Sequence, residues 1–215
     1  KKQEDMTMEQ HLVITIEREY GSGGRLLGKV LSEELGIPYY DDEIIRAASE
    51  HAAVGEEYFR LHDEKPGKRL FGQARDVVGK PRLAGNITHP DNLFRFEAET
   101  IREMADKGSC IFIGRSADFV LDATEFGDFV SLFVYCDMAN KMRRVMEVDG
   151  VDANEAMARI QKINRQRREY CRYFTGNNWG DPMLYDLPLN TTHLTIPETA
   201  ELVKTYLRLR GLLKA

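Results

Sequence analysis

The segment that most restricts the fold is Gly21-Ser22-Gly23-Gly24 together with what flanks it. Before it, His11–Ile16 (HLVITI) is a short apolar, β-branched run that reads as a buried strand. After it, Leu27, Leu31 and Leu35 recur every four residues and predict a helix face. Gly36 stops that helix, and Pro38 lies beyond it. Ile37–Tyr40 forms a second short strand ending in Asp41-Asp42. Strand, glycine loop, helix and strand make a βαβ opening, which commits the chain to a parallel sheet.

The remaining pattern agrees. Asp91 is the expected N-cap of a helix through Ala105, with Phe94, Ile101 and Met104 on or near one face. Further strands are expected at Ser109–Gly114, Val130–Cys136 and His193–Ile196. Helices are expected at Glu43–Ala53, from Ala117, at Ala139–Glu147, at Ala153–Tyr173 and at Pro197–Leu209. Strands alternating with helices imply a three-layer α/β fold. Val54–Pro90 differs: scattered glycines, three prolines and many charges give it a weak core pattern. It reads as a mobile insertion with short helical pieces, because long irregular segments in compact domains serve as lids or stay unstructured.

A chain of 215 residues with a net charge of −5 is one globular domain without the basic excess of a nucleic-acid binder. Residues 1–10 read as a flexible polar terminus, and 11–215 as the domain. The three cysteines form no CxxC or zinc spacing, and no apolar run approaches a membrane span. These features predict a cytoplasmic protein with no membrane partner. The histidines show no HExxH spacing, and Tyr20 stands where a GxSxG elbow around Ser22 needs glycine.

A glycine loop between strand and helix suits phosphate. The backbone can approach the anion, and the helix N-terminus offers unpaired N–H groups. The strict pattern GxxxxGK[ST] is nonetheless not met. With Gly23 as its second glycine, Arg18 stands at the first, Gly24 at the lysine and Arg25 at the magnesium-binding hydroxyl. A dinucleotide fingerprint is the rival, since Gly21 and Gly23 fit GxGxxG and Asp41 ends the second strand. Leu26 at its third glycine speaks against it.

The arginines separate the two. Arg159 to Arg172 carries a net +5, leaving −10 for the rest of the chain. On a helix, Arg165, Arg168 and Arg172 share a solvated face. Arg167 falls on the apolar stripe of Ile160, Ile163 and Tyr170, where a charge needs a partner. Phosphate is such a partner, and guanidinium forks match it. Arg115 follows a buried strand at its carboxyl end, where ligands of open α/β sheets bind. Phosphoryl transfer calls for such charge; hydride transfer does not.

Three segments carry a resemblance: ITIEREYGSGGRLLGKVLSEELGIPYYDDEII, IFIGRSADFVL and NRQRREYCRYFTGNNWGDPMLYDLPLN. In this order they resemble the cytidylate kinase-like family of P-loop nucleoside monophosphate kinases, from about Leu12 to about Leu207 and least between Val54 and Pro90. The resemblance implies a P-loop NTPase fold with about five parallel strands, an NMP-binding insertion at 54–90 and a lid at 153–180. It implies transfer of the ATP γ-phosphoryl group to CMP or dCMP, with magnesium bridging the phosphates. Arg18, Gly21, Ser22, Gly23, Gly24 and Arg25 are then expected to bind ATP phosphates. Asp41, Arg46, Arg115 and Asp118 would hold the acceptor; Arg25, Arg165 and Arg167 would act in catalysis. Asn164 stands where an aspartate is usual, and Trp179, Asp181, Tyr185 and Asn190 match a C-terminal pattern read as structural. The partners implied are nucleotides, with a homodimer the first assembly to test. Because the glycine-lysine pair that ends the loop of true cytidylate kinases is absent here, as the resemblance implies for others of the -like branch, a nucleotide-binding sensor without catalysis and a kinase for another small acceptor are the competing readings.

Overall fold

The computed structural model describes residues 11–65, 78–83, 86–124, 126–127 and 129–214. The expected flexible terminus at 1–10 and residues 66–77 of the insertion lie outside them. Five strands form one parallel sheet: β1 (Val13–Arg18), β2 (Tyr39–Tyr40), β3 (Cys110–Ile113), β4 (Phe129–Tyr135) and β5 (Leu187–Asn190). Their order is β2-β3-β1-β4-β5, with Ile14 opposite both Ile111 and Val130. All six residues of β1 are buried, as expected of a strand covered on both faces.

Helices α1 (Gly24–Leu35) and α8 (Ile196–Leu209) cover one face, where Leu27, Leu31, Val203 and Leu207 meet Ile14, Ile16, Ile113 and Val134. On the other face lie α4 (Pro90–Lys107), α5 (Ala117–Asp122) and α7 (Ala153–Thr175). Phe94, Ile101, Val120, Tyr170 and Phe174 pack there on Val13 and Phe112. Helices α2 (Asp42–Ala52) and α3 (Glu56–His62) pack through Ile45, Ala48 and Phe59 on Leu93 and Phe96 of α4. The remaining helix, α6 (Met138–Asp149), lies beside α7.

Two sequence expectations are corrected. The last strand is Leu187–Asn190, not His193–Ile196. Thr195 instead caps α8 through a capping box with Glu198, which takes His193–Ile196 out of the sheet. Pro188 is accommodated because β5 is an edge strand. Helix α4 is capped by His89 with Pro90 at its first position, so Asp91 lies inside the helix rather than at the N-cap.

The chain leaves β1 toward β2 on one side and leaves β3 toward β4 on the other. The crevice outside the carboxyl ends of β1 and β3 is therefore the switch point where such sheets bind ligands. Arg18 and Arg115 stand at those two ends. The packing of α1 sets an expected contrast in stability. Leu31→Ala, at a fully buried position, lowers it by about 2–5 kcal/mol. Leu26→Ala, at a position 54% exposed, leaves it nearly unchanged in chemical denaturation.

Candidate active site

Two buried charge groups stand side by side in the crevice. In the first, Nη1 and Nη2 of Arg18 both donate to the Glu64 carboxylate, and Arg167 Nε donates to Glu64 Oε2 at 2.8 Å. Arg167 Nη1 also donates to the Arg18 carbonyl at 2.9 Å. This group joins the end of β1, the residue two past α3, and the inner face of α7. In the second, Arg115 is 1% exposed. Its Nη1 donates to Asp41 Oδ1 at 3.2 Å, and its Nη2 to Asp63 Oδ2 at 3.2 Å. The Arg115 backbone N–H reaches Glu64 Oε1 at 3.4 Å, linking the two groups.

The backbone is bent to make this possible. Arg115 and Ser116 both lie in the left-handed region, at φ 56° and 50°. Each such non-glycine residue carries about 1–3 kcal/mol of strain, and persists only where its surroundings hold it. Here the Ser116 N–H donates to Glu17 Oε1 at 3.1 Å, and the Arg115 side chain is fixed by its acids. Trp179 Nε1 donates to the other Glu17 oxygen at 3.0 Å.

Burial by itself would raise the Glu64 pKa, but Arg167 and Arg18 overcome it and hold the carboxyl well below the usual range. Burial raises Asp63 against the pull of Arg115. Nearby Glu97, which accepts from the Tyr170 hydroxyl at 3.5 Å, is pushed up to about 8 by burial despite Arg115.

Beside these groups runs the glycine loop. Its carbonyl side is occupied: Arg144 Nη1 donates to Ser22 O at 2.8 Å, as does the Thr191 hydroxyl at 2.8 Å. The Tyr20 N–H donates to Asn164 Oδ1 at 2.7 Å, tying the loop to α7. Gly23, at φ 91°, turns the chain into α1. Among the described residues, no side chain caps that helix N-terminus. The amide side of the loop thus has the geometry of an anion cradle.

The structure brings together Arg18, the loop residues Gly21, Ser22, Gly23 and Gly24, and Arg167, and beside them Asp41 and Arg115. Arg25 is 59% exposed and turns to Asp41, with Nε 2.6 Å from Oδ2. Three expected members stay outside. Arg46 is exposed beside Glu43, because the buried face of α2 is Ile44, Ile45 and Ala48. Arg165 is exposed and pairs with Glu169, one residue off the inner stripe of α7. Asp118, pushed up to about 7 by burial and by Glu17, lines a separate cavity of about 500 Å³ with Ser131, Tyr185 and Asp186.

Asp63, Glu64 and Glu97 escaped sequence reasoning. The first two lie in the segment without a readable pattern, and Glu97 looks like any helix acid. Glu17 did carry a signal, as an acid directly after the apolar, β-branched run that ends at Ile16.

The sequence matches the cytidylate kinase-like family over residues 13–193, a span that contains the loop and both charge groups. The chain belongs to this family. It is 29% identical over 203 residues to a cytidylate kinase of Methanopyrus kandleri, covering 90% of this chain and 91% of that protein. An uncharacterized protein from Eubacterium ventriosum superposes with a TM-score of 0.68 at 25% identity, covering 92% of this chain and 98% of that one. Shikimate kinase from Bacteroides thetaiotaomicron shares the fold, with a TM-score of 0.52 at 16% identity over 93% of this chain and 99% of that one. The five-stranded parallel sheet with helices on both faces is thus the P-loop kinase fold.

Glu97 sets a pH test. Its folded pKa lies above its unfolded value, so between about pH 4.5 and about pH 8 the folded state binds the extra proton. Stability therefore falls as pH rises through that window, by at most about 1.4 kcal/mol per pH unit. Glu97→Gln removes this group's share of the dependence. Denaturation at pH 5 and pH 8 is expected to show a smaller loss in the variant than in the wild type.

Proposed function

We propose that this protein transfers the γ-phosphoryl group of ATP to a nucleoside monophosphate, with CMP or dCMP as acceptor. One observation carries the reading. Two buried guanidiniums from different elements converge on a single carboxylate beside an uncapped helix N-terminus. That carboxylate occupies the position a phosphoryl group would take. The name of the Methanopyrus kandleri relative supports cytidine as the acceptor's nucleoside.

In this reading the amides of residues 21–25 hold the ATP phosphates. Arg18 and Arg167 close on the γ-phosphoryl from two sides and neutralise the charge its oxygens carry during transfer. Arg115 and Asp41 serve the acceptor. Asp63 and Glu64, at the end of α3, supply the negative charge that balances the arginines until phosphates replace them. Burial of the cluster keeps water from competing for the phosphoryl group. No three His, Cys, Asp or Glu side chains converge to hold a metal among the described residues. Arg25 also stands where the magnesium-binding hydroxyl would be. The chain therefore fits magnesium that arrives on the nucleotide phosphates as part of the substrate.

A coupled ADP-release assay against a panel of nucleoside monophosphates tests the proposal. Turnover is expected with CMP or dCMP; none with any acceptor favours the sensor reading, which the glycine at position 24 motivates. Arg167→Ala is expected to lower turnover about 10²-fold or more. Exposed Arg172→Ala is expected to leave it within about twofold, since surface charges contribute about 0–1 kcal/mol. Equal effects in two folded variants would sink the assignment.

Glu64→Gln tests the displaced carboxylate. Leaving the arginines unbalanced is expected to lower the stability of the nucleotide-free protein by about 3–5 kcal/mol. ATP, whose γ-phosphate replaces the missing charge, is then expected to raise the melting temperature more in the variant than in the wild type.

A further inference from the structure

We infer that Arg18 takes the place of the lysine of the strict phosphate-binding loop, and that position 24 is glycine because the Arg18 side chain occupies the space a residue there would need. The inference rests on the phosphotransferase reading and names the residue that replaces its missing part.

The two departures from GxxxxGK lie at its first and seventh positions, Arg18 and Gly24. Six residues apart in the chain, they touch in the fold. A β-carbon on Gly24 would lie 2.6 Å from Cβ and 3.1 Å from Cγ of Arg18, well inside contact distance. An arginine at 18 and a lysine at 24 therefore exclude each other, and the substitutions form one exchange of a cation across the loop.

The exchanged cation is aimed correctly. Arg18 is 4% exposed, so its side chain runs inward past the start of α1 rather than out to water. Its guanidinium lies over Gly114 at the end of β3, where a β-carbon would overlap both it and the Glu64 carboxylate. That point is the crevice between β1 and β3, one residue from Arg115. The lysine of the strict loop reaches the β- and γ-phosphates. A guanidinium in the same crevice supplies a permanent charge and a fork that bonds two phosphate oxygens at once.

Other nearby cations are placed differently. Arg25 is exposed and turned to Asp41, Arg144 holds loop carbonyls, and Arg167 enters from α7. Arg18 alone among these four comes from the strand that leads into the loop.

A four-protein cycle tests the exchange: wild type, Arg18→Gly, Gly24→Lys, and the double variant, which rebuilds the strict pattern at both positions. Turnover with CMP and ADP affinity are measured, with folding checked by circular dichroism and thermal denaturation. Each single change is expected to lower turnover about 10²–10³-fold. The first removes the cation, and the second forces it aside. The double variant is expected to recover at least tenfold over either single one. A double variant at or below the product of the two losses overturns the inference, as does a folded Arg18→Gly protein within threefold of wild type.

Should either single variant fail to fold, Arg18→Lys and Arg18→Met decide. Both keep the packing past Gly24, and only the first keeps the charge. Retention of turnover by the first and its loss in the second supports the inference; equal behaviour overturns it. Wild-type protein inactive on every acceptor defeats the phosphotransferase reading instead. The cycle is then read in ADP affinity, where recovery by the double variant still supports the exchange and additive loss overturns it.

Discussion

A guanidinium taken out of water must meet an anion, and the structure is organised around that requirement at one carboxylate. Glu64 receives Arg18 from β1 and Arg167 from α7, and accepts from the Arg115 backbone at the end of β3. Without it, these cations would face one another across the crevice with nothing between them; the charge of Arg18 already acts against that of Arg167. Breaking a buried pair by removing one partner is far more costly than never forming it. The crevice is therefore filled with negative charge by the protein itself.

The backbone around it is braced from behind. Glu17 faces the other side of β1 from Arg18 and bonds both the strained Ser116 amide and the Trp179 indole. Trp179 and Tyr185 pack on Phe133 of β4, with ring centroids 5.3 and 5.0 Å away. Asp181 accepts from the Met183 amide in the turn between them. Trp179, packed with Tyr185, thus acts as a buttress: it holds the acid that fixes the β3–α5 turn that aims Arg115. Asn164 has a similar task. Its amide oxygen accepts from Tyr20 and joins the arginine helix to the glycine loop.

Arginines were visible in the sequence as a class, and helix phase sorted some of them. Arg167 falls on an apolar stripe and is buried; Arg165 and Arg172 fall off it and are exposed. The same reasoning could not place Arg46 or Asp118. One step along a helix turns a side chain by about 100°, which is enough to take Arg46 from crevice to solvent. Nor could it find Asp63 and Glu64. They lie between short elements with no periodicity, and an acid there looks like any solvated charge until its partners are known.

What the sequence determined by itself is the βαβ opening, the parallel sheet covered on both faces, the phosphate-suited loop and the need for buried cations. Each follows from local spacing: alternating strands and helices, leucines every four residues, glycines where the backbone must turn. Only the tertiary structure decided which charges meet. Arg18, Glu64, Arg115 and Arg167 come from β1, the end of α3, the end of β3 and the middle of α7, up to 149 residues apart. Their pairing depends on directions in space that no local pattern encodes. The contact between Arg18 and the missing side chain of Gly24 belongs to the same class. Two apparent defects in a motif read along the chain are a single exchange once the loop is closed.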